Sequence, residues 1–295
     1  MFEVAVNDTD TVPVVDWDYW DGSNLRGMTM GIMPHGKNRI YKLGQEPGFA
    51  VAHRSGSDNY AEYSHRGYTE CVSRGVMALE LSVSRSQDGV WFGLHDRTLT
   101  RTSSVTGYSA DPYLNSWNYI RSLPNNNVGS DPDPAFPEPQ EYVEIHELLA
   151  PYVDSHVLLL DLKFKAGEPE REEILEILDE LYDEPREQVI FKFADARATS
   201  YADWIASIGY TSWGHIWTND YLADPVAMNE AMDHWDWLGV AADATAQLWL
   251  DAQAQEKPML GAIVNDPAEL AIVLGEGCIG YLCADPIELL GPSLV

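Results

Sequence analysis

Two imidazoles and two carboxylates interrupt apolar runs of this sequence near their ends. His53 follows Phe49-Ala50-Val51-Ala52, and His95-Asp96 follows Val90-Trp91-Phe92-Gly93-Leu94. Glu80 lies within the run 76–83, VMALELSV, and Asp161 within 156–164, HVLLLDLKF. Two imidazoles across one pocket can divide proton transfer, one as base and one as acid. A buried carboxylate is costly unless a cation faces it. On spacing alone that cation is Lys163 or Arg54, or a divalent metal bound by oxygen ligands, and both readings stand. The remaining histidines, at 35, 65, 146, 156, 215 and 234, fall in loops, helices or strand starts and carry no assigned role.

These residues need elements that bring them together. Side chains alternate along a strand. Leu79, Leu81 and Val83 therefore face one way and Ala78, Glu80 and Ser82 the other. In the later run Leu158, Leu160 and Leu162 oppose Leu159, Asp161 and Lys163. Strands are expected over 49–53, 76–83, 90–94, 156–164, 188–194, 210–216, 237–244, 258–264 and 278–285. Helices are expected over 61–74, 141–152, 168–184, 197–208, 219–233, 245–255 and after Asn265. Strand-helix alternation of this kind requires parallel strands with helical crossovers. Eight such units in about 250 residues read as an α/β fold, a closed (β/α)8 TIM barrel. An open doubly wound sheet is the alternative, but no Gly-rich phosphate loop opens a first helix. In a barrel the C-terminal strand ends converge on one mouth, where His53, Glu80, His95 and Asp161 would meet.

Residues 1–48 differ in character and read as an N-terminal extension or linker of short strands and loops, with the barrel over 49–295. Residues 103–140, rich in Ser, Asn, Pro, Asp and Gly, read as a long loop insertion after the second strand. Its aromatics Tyr108, Tyr113, Trp117 and Tyr119 read as loop packing, with a cover over substrate as the alternative.

The chain has 295 residues, 45% of them hydrophobic, enough for a large core. Its formal net charge of -29 argues against nucleic acid and anionic membrane surfaces as partners. Three cysteines, Cys71, Cys278 and Cys283, imply neither a disulfide framework nor a Cys-x-x-Cys metal site. Residues 1–20 lack the basic start and apolar core of a signal peptide, and no run approaches the roughly 18 apolar residues of a membrane span. The composition fixes no location: cytoplasm, extracellular space and a virion all stay open.

Taken in order, these motifs resemble the glycerophosphodiester phosphodiesterase family. The matching residues are His53-Arg54-Ser55, then Ala61-Glu62-Tyr63-Ser64, then Gly75 to Glu80-Leu81-Ser82-Val83. Asp88-Gly89 and His95-Asp96 with Leu99-Thr100-Arg101-Thr102 follow without a gap. Asp161-Leu162-Lys163 looks like the family's Glu-x-Lys strand, Asn265 like the Asn of its seventh strand, and Ala284-Asp285-Pro286 like its closing Thr-Asp-x-Pro. The likeness runs from about residue 49 to the C-terminus.

The resemblance implies a TIM barrel that hydrolyses small or polymeric glycerophosphodiesters with a divalent metal, Mg2+ or Ca2+. It implies His53 and His95 as the acid/base pair, Glu80 and Asp161 as metal ligands, and Arg54 and Lys163 on the phosphate. Three departures stand beside it. Ser82 replaces a second carboxylate and is a weaker, neutral ligand for a hard cation, so Glu62 becomes a further candidate ligand. Ser55 replaces a glycine. Of the Pro-Glu-Asn-Thr helix start only Glu62 survives, with Ser64 standing for the Thr. A polyglycerol-phosphate wall polymer is one expected substrate. A catalytically weakened barrel acting as a cell-envelope binding module is the alternative, for example on a phage tail. Tyr19-Trp20-Asp21-Gly22-Ser23 resembles linkers of such tail proteins, which would place virion assembly partners on residues 1–48. A related lyase-type phospholipase shares the two-histidine layout.

Overall fold

A computed structural model describes residues 39–162 and 168–293. Both the Trp-Asp-Gly segment and Lys163 lie outside the described residues.

Eight parallel strands close into a barrel. They are β1 (Phe49–Ala52), β2 (Ala78–Arg85), β4 (Val157–Leu162), β5 (Val189–Phe193), β6 (Thr211–Ile216), β7 (Trp237–Val240), β8 (Met259–Val264) and β9 (Gly280–Cys283). β1 pairs with both β9 and β2, which closes the ring. The ninth strand, β3 (Trp91–Gly93), runs antiparallel to β2 as the second arm of a hairpin. The expected (β/α)8 architecture is therefore the observed one.

The alternation read from the sequence sets the two faces. Leu79, Leu81, Val83, Leu158, Leu160 and Leu162 pack outward beneath the helices. Val51, Ala78, Val157, Leu159, Ile190, Trp213, Trp237, Leu260 and Leu282 fill the barrel interior. Trp213 fits inside because its ring lies over Gly239 of β7. A Cβ at Gly239 would stand 2.1 Å from the indole Cζ2.

A short helix, Arg39–Leu43, lies before β1, and its Ile40 and Leu43 join the interior apolar cluster. The last ten residues of the segment read as an extension thus pack with the barrel. Between β3 and β4 the insertion is more ordered than its composition indicates. Trp117 and Ile120 pack with Phe92, Leu94, Leu99 and Tyr142 in a satellite cluster. Of its other aromatics Tyr119 packs against this cluster, and Tyr108 is exposed. The helix expected over 219–233 is two, Thr218–Ala223 and Pro225–Met232. Pro225 cannot continue a preceding helix, and Asp224 caps the new one by accepting from Ala227 N.

Burial lowers the His156 imidazole, just before β4, to about 4, against a bond at the Val76 backbone that raises it and Arg39, which lowers it further. The unfolded chain takes up that proton near the ordinary value of about 6.5. Its contribution is therefore complete above pH 6.5 and is lost as pH falls towards 4. The expected result is that the Tm gap between the protein and His156→Gln narrows steadily over this window. A gap that stays constant would show that His156 does not titrate this way.

Candidate active site

The rim at the C-terminal ends of β1, β2, β4, β5 and β6 is polar, and two linked networks occupy it. The first centres on Glu80. Its side chain is fully buried. Oε2 accepts from the Arg54 backbone N–H at 2.7 Å, and Oε1 accepts from Lys192 Nζ at 2.8 Å. Ser82 Oγ lies 3.3 Å from Glu80 Oε1 and 3.3 Å from Asp161 Oδ2, so its one proton serves one carboxylate at a time. The strand register explains the grouping. Ser82 pairs with Asp161, Asp161 with Lys192, and Lys192 with Trp213, one layer across four strands. Burial alone would raise the Glu80 pKa, but Lys192, then His53 and Arg54, hold it well below the carboxylate range.

The backbone after β1 is built for this contact. Arg54, Ser55 and Gly56 have φ of 47°, 64° and 77°, all left-handed. Two non-glycine residues in that region cost of order 1 kcal/mol each or more. The turn delivers the Arg54 N–H to Glu80, and the buried contact offsets the strain.

The second network is a closed ring. Arg54 Nη1 donates to Glu62 Oε1 at 3.0 Å, and Arg101 clamps both Glu62 oxygens at 3.0 and 2.8 Å. Arg101 Nε also donates to Asp96 Oδ2 at 2.7 Å. Asp96 Oδ1 lies 2.8 Å from His95 Nδ1, and His95 Nε2 lies 2.8 Å from Arg54 Nη2. A guanidinium has no acceptor, so Nε2 accepts here and the proton sits on Nδ1, donated to Asp96. His95 is thus a neutral imidazole with its tautomer set by a carboxylate. Asp96 stays ionised far into acid, chiefly because of this bond.

His53 is buried, with Ser57 Oγ 3.2 Å from its Nδ1. Burial drives its pKa well below the ordinary value, and Glu80 only partly restores it, so the ring is neutral near pH 7. Tyr63, also left-handed at φ 50°, is fully buried, with its hydroxyl beside Ser82. Gly93 makes room for that ring, since a Cβ there would stand 2.3 Å from Tyr63 Cβ.

The residues singled out from sequence are distributed as follows. His53, Arg54, Glu80, Ser82 and Asp161 share the rim, and His95 joins them through Arg54. Glu62 instead lies between two arginines that take both its oxygens. Asn265 is on the exposed side of the next helix start, donating to Glu269 from its backbone and side-chain nitrogens. Asp285 caps the helix Pro286–Leu290 through Glu288 N. Three members of the site were not assigned a role from sequence: Lys192, Asp96 and Arg101. Lys192 carried a usable signal, since alternation in Val189-Ile190-Phe191-Lys192-Phe193 turns it inward with Ile190.

The divalent ion implied at Glu80 and Asp161 can be tested against these donors. Carboxylate and hydroxyl oxygens are the right type for a hard cation. Their commitments are not. Glu80 Oε1 already holds an ammonium, Glu80 Oε2 a backbone N–H, and Glu62 two guanidiniums. Among the described residues no group of three or more His, Cys, Asp or Glu side chains is placed to hold a metal. The arrangement does not fit the ion.

Comparison with known proteins agrees with the barrel fold. The solved Oleispira antarctica phosphodiesterase in complex with the product sn-glycerol-3-phosphate superposes with a TM-score of 0.64 at 18% identity, covering 81% of this chain and 94% of that one. The Thermotoga maritima glycerophosphodiester phosphodiesterase gives 0.62 at 15% identity, over 81% and 95%. Human glycerophosphodiester phosphodiesterase 1 is 28% identical over 95 residues, a stretch that spans 32% of this chain and 29% of that protein. The model of the glycerophosphoryl diester phosphodiesterase family matches residues 53–248, which begin at the first rim histidine and include five of the eight barrel strands. On that match the chain belongs to the glycerophosphoryl diester phosphodiesterase family.

Proposed function

We propose that this protein hydrolyses glycerophosphodiesters at the barrel mouth. The observation that carries the reading is the gathering of four groups at one rim: Arg54 contacts both Glu80 and His95 directly, and His53, its chain neighbour, feels the Glu80 charge. The structural relative with bound sn-glycerol-3-phosphate gives the product class.

The roles follow from the tautomers. His95 presents a Nε2 lone pair backed by Nδ1–H···Asp96, the arrangement of a general base. It takes the proton of the attacking oxygen, from water or a neighbouring glycerol hydroxyl, as that oxygen bonds phosphorus. Arg54 leaves Nε2 for the anionic phosphate as substrate enters. His53 is neutral in the free protein, and the phosphate's negative charge raises its proton affinity. Its proton goes to the leaving oxygen as the P–O bond breaks. Arg54 and Lys192 offset charge on the phosphoryl oxygens. Ser82 joins the two acids and contacts no reacting atom. For Lys163 the family resemblance alone supports a contact with the phosphate.

The test is product release from glycerophosphoglycerol and from polyglycerol-phosphate wall polymer, followed separately. Cleavage of either supports the reading. Tight retention of the polymer with no turnover of either substrate would replace hydrolysis by envelope binding.

Glu62→Gln probes the ring. An amide cannot accept from both arginines as a carboxylate does, so Arg54 and the Asp96–His95 pair lose their fixed positions. The expected result is a kcat lower by about 10- to 100-fold, the scale of a misplaced catalytic group. An unchanged kcat would remove the ring from the mechanism.

A further inference from the structure

The family is generally divalent-metal dependent, yet the donors here are committed elsewhere. We infer that Lys192 is the resident cation of this site and stands in for the metal, so that phosphate binding and turnover need no divalent ion. The substrate half of this inference rests on the phosphodiesterase reading, and the cation half does not.

Four observations converge. Lys192 and Glu80 are both buried, and their 2.8 Å contact is the kind a protein keeps only when each charge answers the other. Glu80 is the one hydrogen-bond acceptor recorded for Lys192 among the described residues, which leaves two N–H groups of the ammonium for further oxygens. The Nζ also lies 5.4 Å from the Trp213 ring centroid, so its partner on the next strand helps fix its position. Ser82 contributes no charge to the layer between Glu80 and Asp161. A metal shell would need a further carboxylate, and a divalent ion at Glu80 would meet the ammonium head-on. With Ser82 where the resemblance implies a carboxylate, and Lys192 paired to Glu80, the site carries positive charge that a bound ion would otherwise supply.

An ammonium acts differently from a metal. It donates hydrogen bonds to a phosphoryl oxygen and offsets its charge, but it generates no metal hydroxide. Lys192 therefore binds and stabilises, and the proton steps remain with the histidines.

Calorimetry on the purified, chelator-treated protein tests the cation half without reference to activity. Mg2+, Ca2+ and Mn2+, each to about 5 mM, should give no binding isotherm and no shift of Tm. One equivalent of any of them, abolished by Glu80→Gln, would overturn the inference. Binding of sn-glycerol-3-phosphate in EDTA tests the other half. The protein should bind it, and Lys192→Met should weaken binding by about 10-fold or more, the scale of a lost buried charge contact. Binding that appears only after metal is added would also overturn the inference. Because Lys192→Met leaves Glu80 buried and unpaired, its Tm is measured alongside. If it does not fold, the metal titration of the unaltered protein still decides. Failure to bind glycerol phosphate in any condition would reject the phosphodiesterase reading, while the metal isotherm would continue to judge the cation.

Discussion

His95→Ala is expected to lower kcat on glycerophosphoglycerol by about 100-fold or more, the usual worth of a positioned general base. The loss should be of similar size on a p-nitrophenyl phosphodiester, because the attacking oxygen must give up its proton in both reactions. His53→Ala should lose as much on glycerophosphoglycerol, whose alkoxide leaves poorly without a proton. On the p-nitrophenyl ester it should lose far less, since that anion departs unprotonated. The pair of ratios assigns base and acid from kinetics alone. Equal sensitivity of both variants to the leaving group would dissolve the assignment of His95, backed by Asp96, as base and buried His53 as acid. Neither substitution should disturb the fold greatly, and a Tm near that of the parent separates chemistry from damage.

Glu80→Ala should be the most destabilising change at the rim. It strands a buried ammonium and orphans the Arg54 N–H in a strained turn. Removing one partner of a buried pair costs about 3–5 kcal/mol. For a barrel of this size that corresponds to a Tm lower by roughly 6–20 °C. Combining it with Lys192→Met removes both charges and should recover much of the loss, since an apolar pair of similar volume is often tolerated. A double variant as unstable as Glu80→Ala would show that the Lys192–Glu80 contact is not what the pocket depends on.

The barrel was legible because strand alternation has a fixed period. Once Glu80 and Asp161 are placed on strands, their faces follow, and Leu79, Leu81, Leu158 and Leu160 must point the other way. The convergence of His53, Glu80 and Asp161 on one rim follows from the same rule plus closure. The partner of Glu80 was not legible. Lys192 is 112 residues away in sequence, and spacing cannot choose it over Lys163 or Arg54. Arg54 does reach Glu80, but through its backbone N–H in a left-handed turn, a donor with no side-chain signature. Its guanidinium goes to Glu62 and His95 instead. Glu62 is a candidate ligand in the sequence because Ser82 leaves a carboxylate missing, and its place between Arg54 and Arg101 has no signature there. The break at Asp224-Pro225 was visible in the residues but lay inside a helical pattern that hid it.

Phosphorus NMR of glycerophosphoglycerol incubated with the purified protein in EDTA is the most direct test of the whole site. Growth of a glycerol phosphate resonance with the parent, and none with the His53→Ala/His95→Ala double variant, is the predicted result. An unchanged diester signal with the parent, in EDTA and again with excess Mg2+, would contradict it.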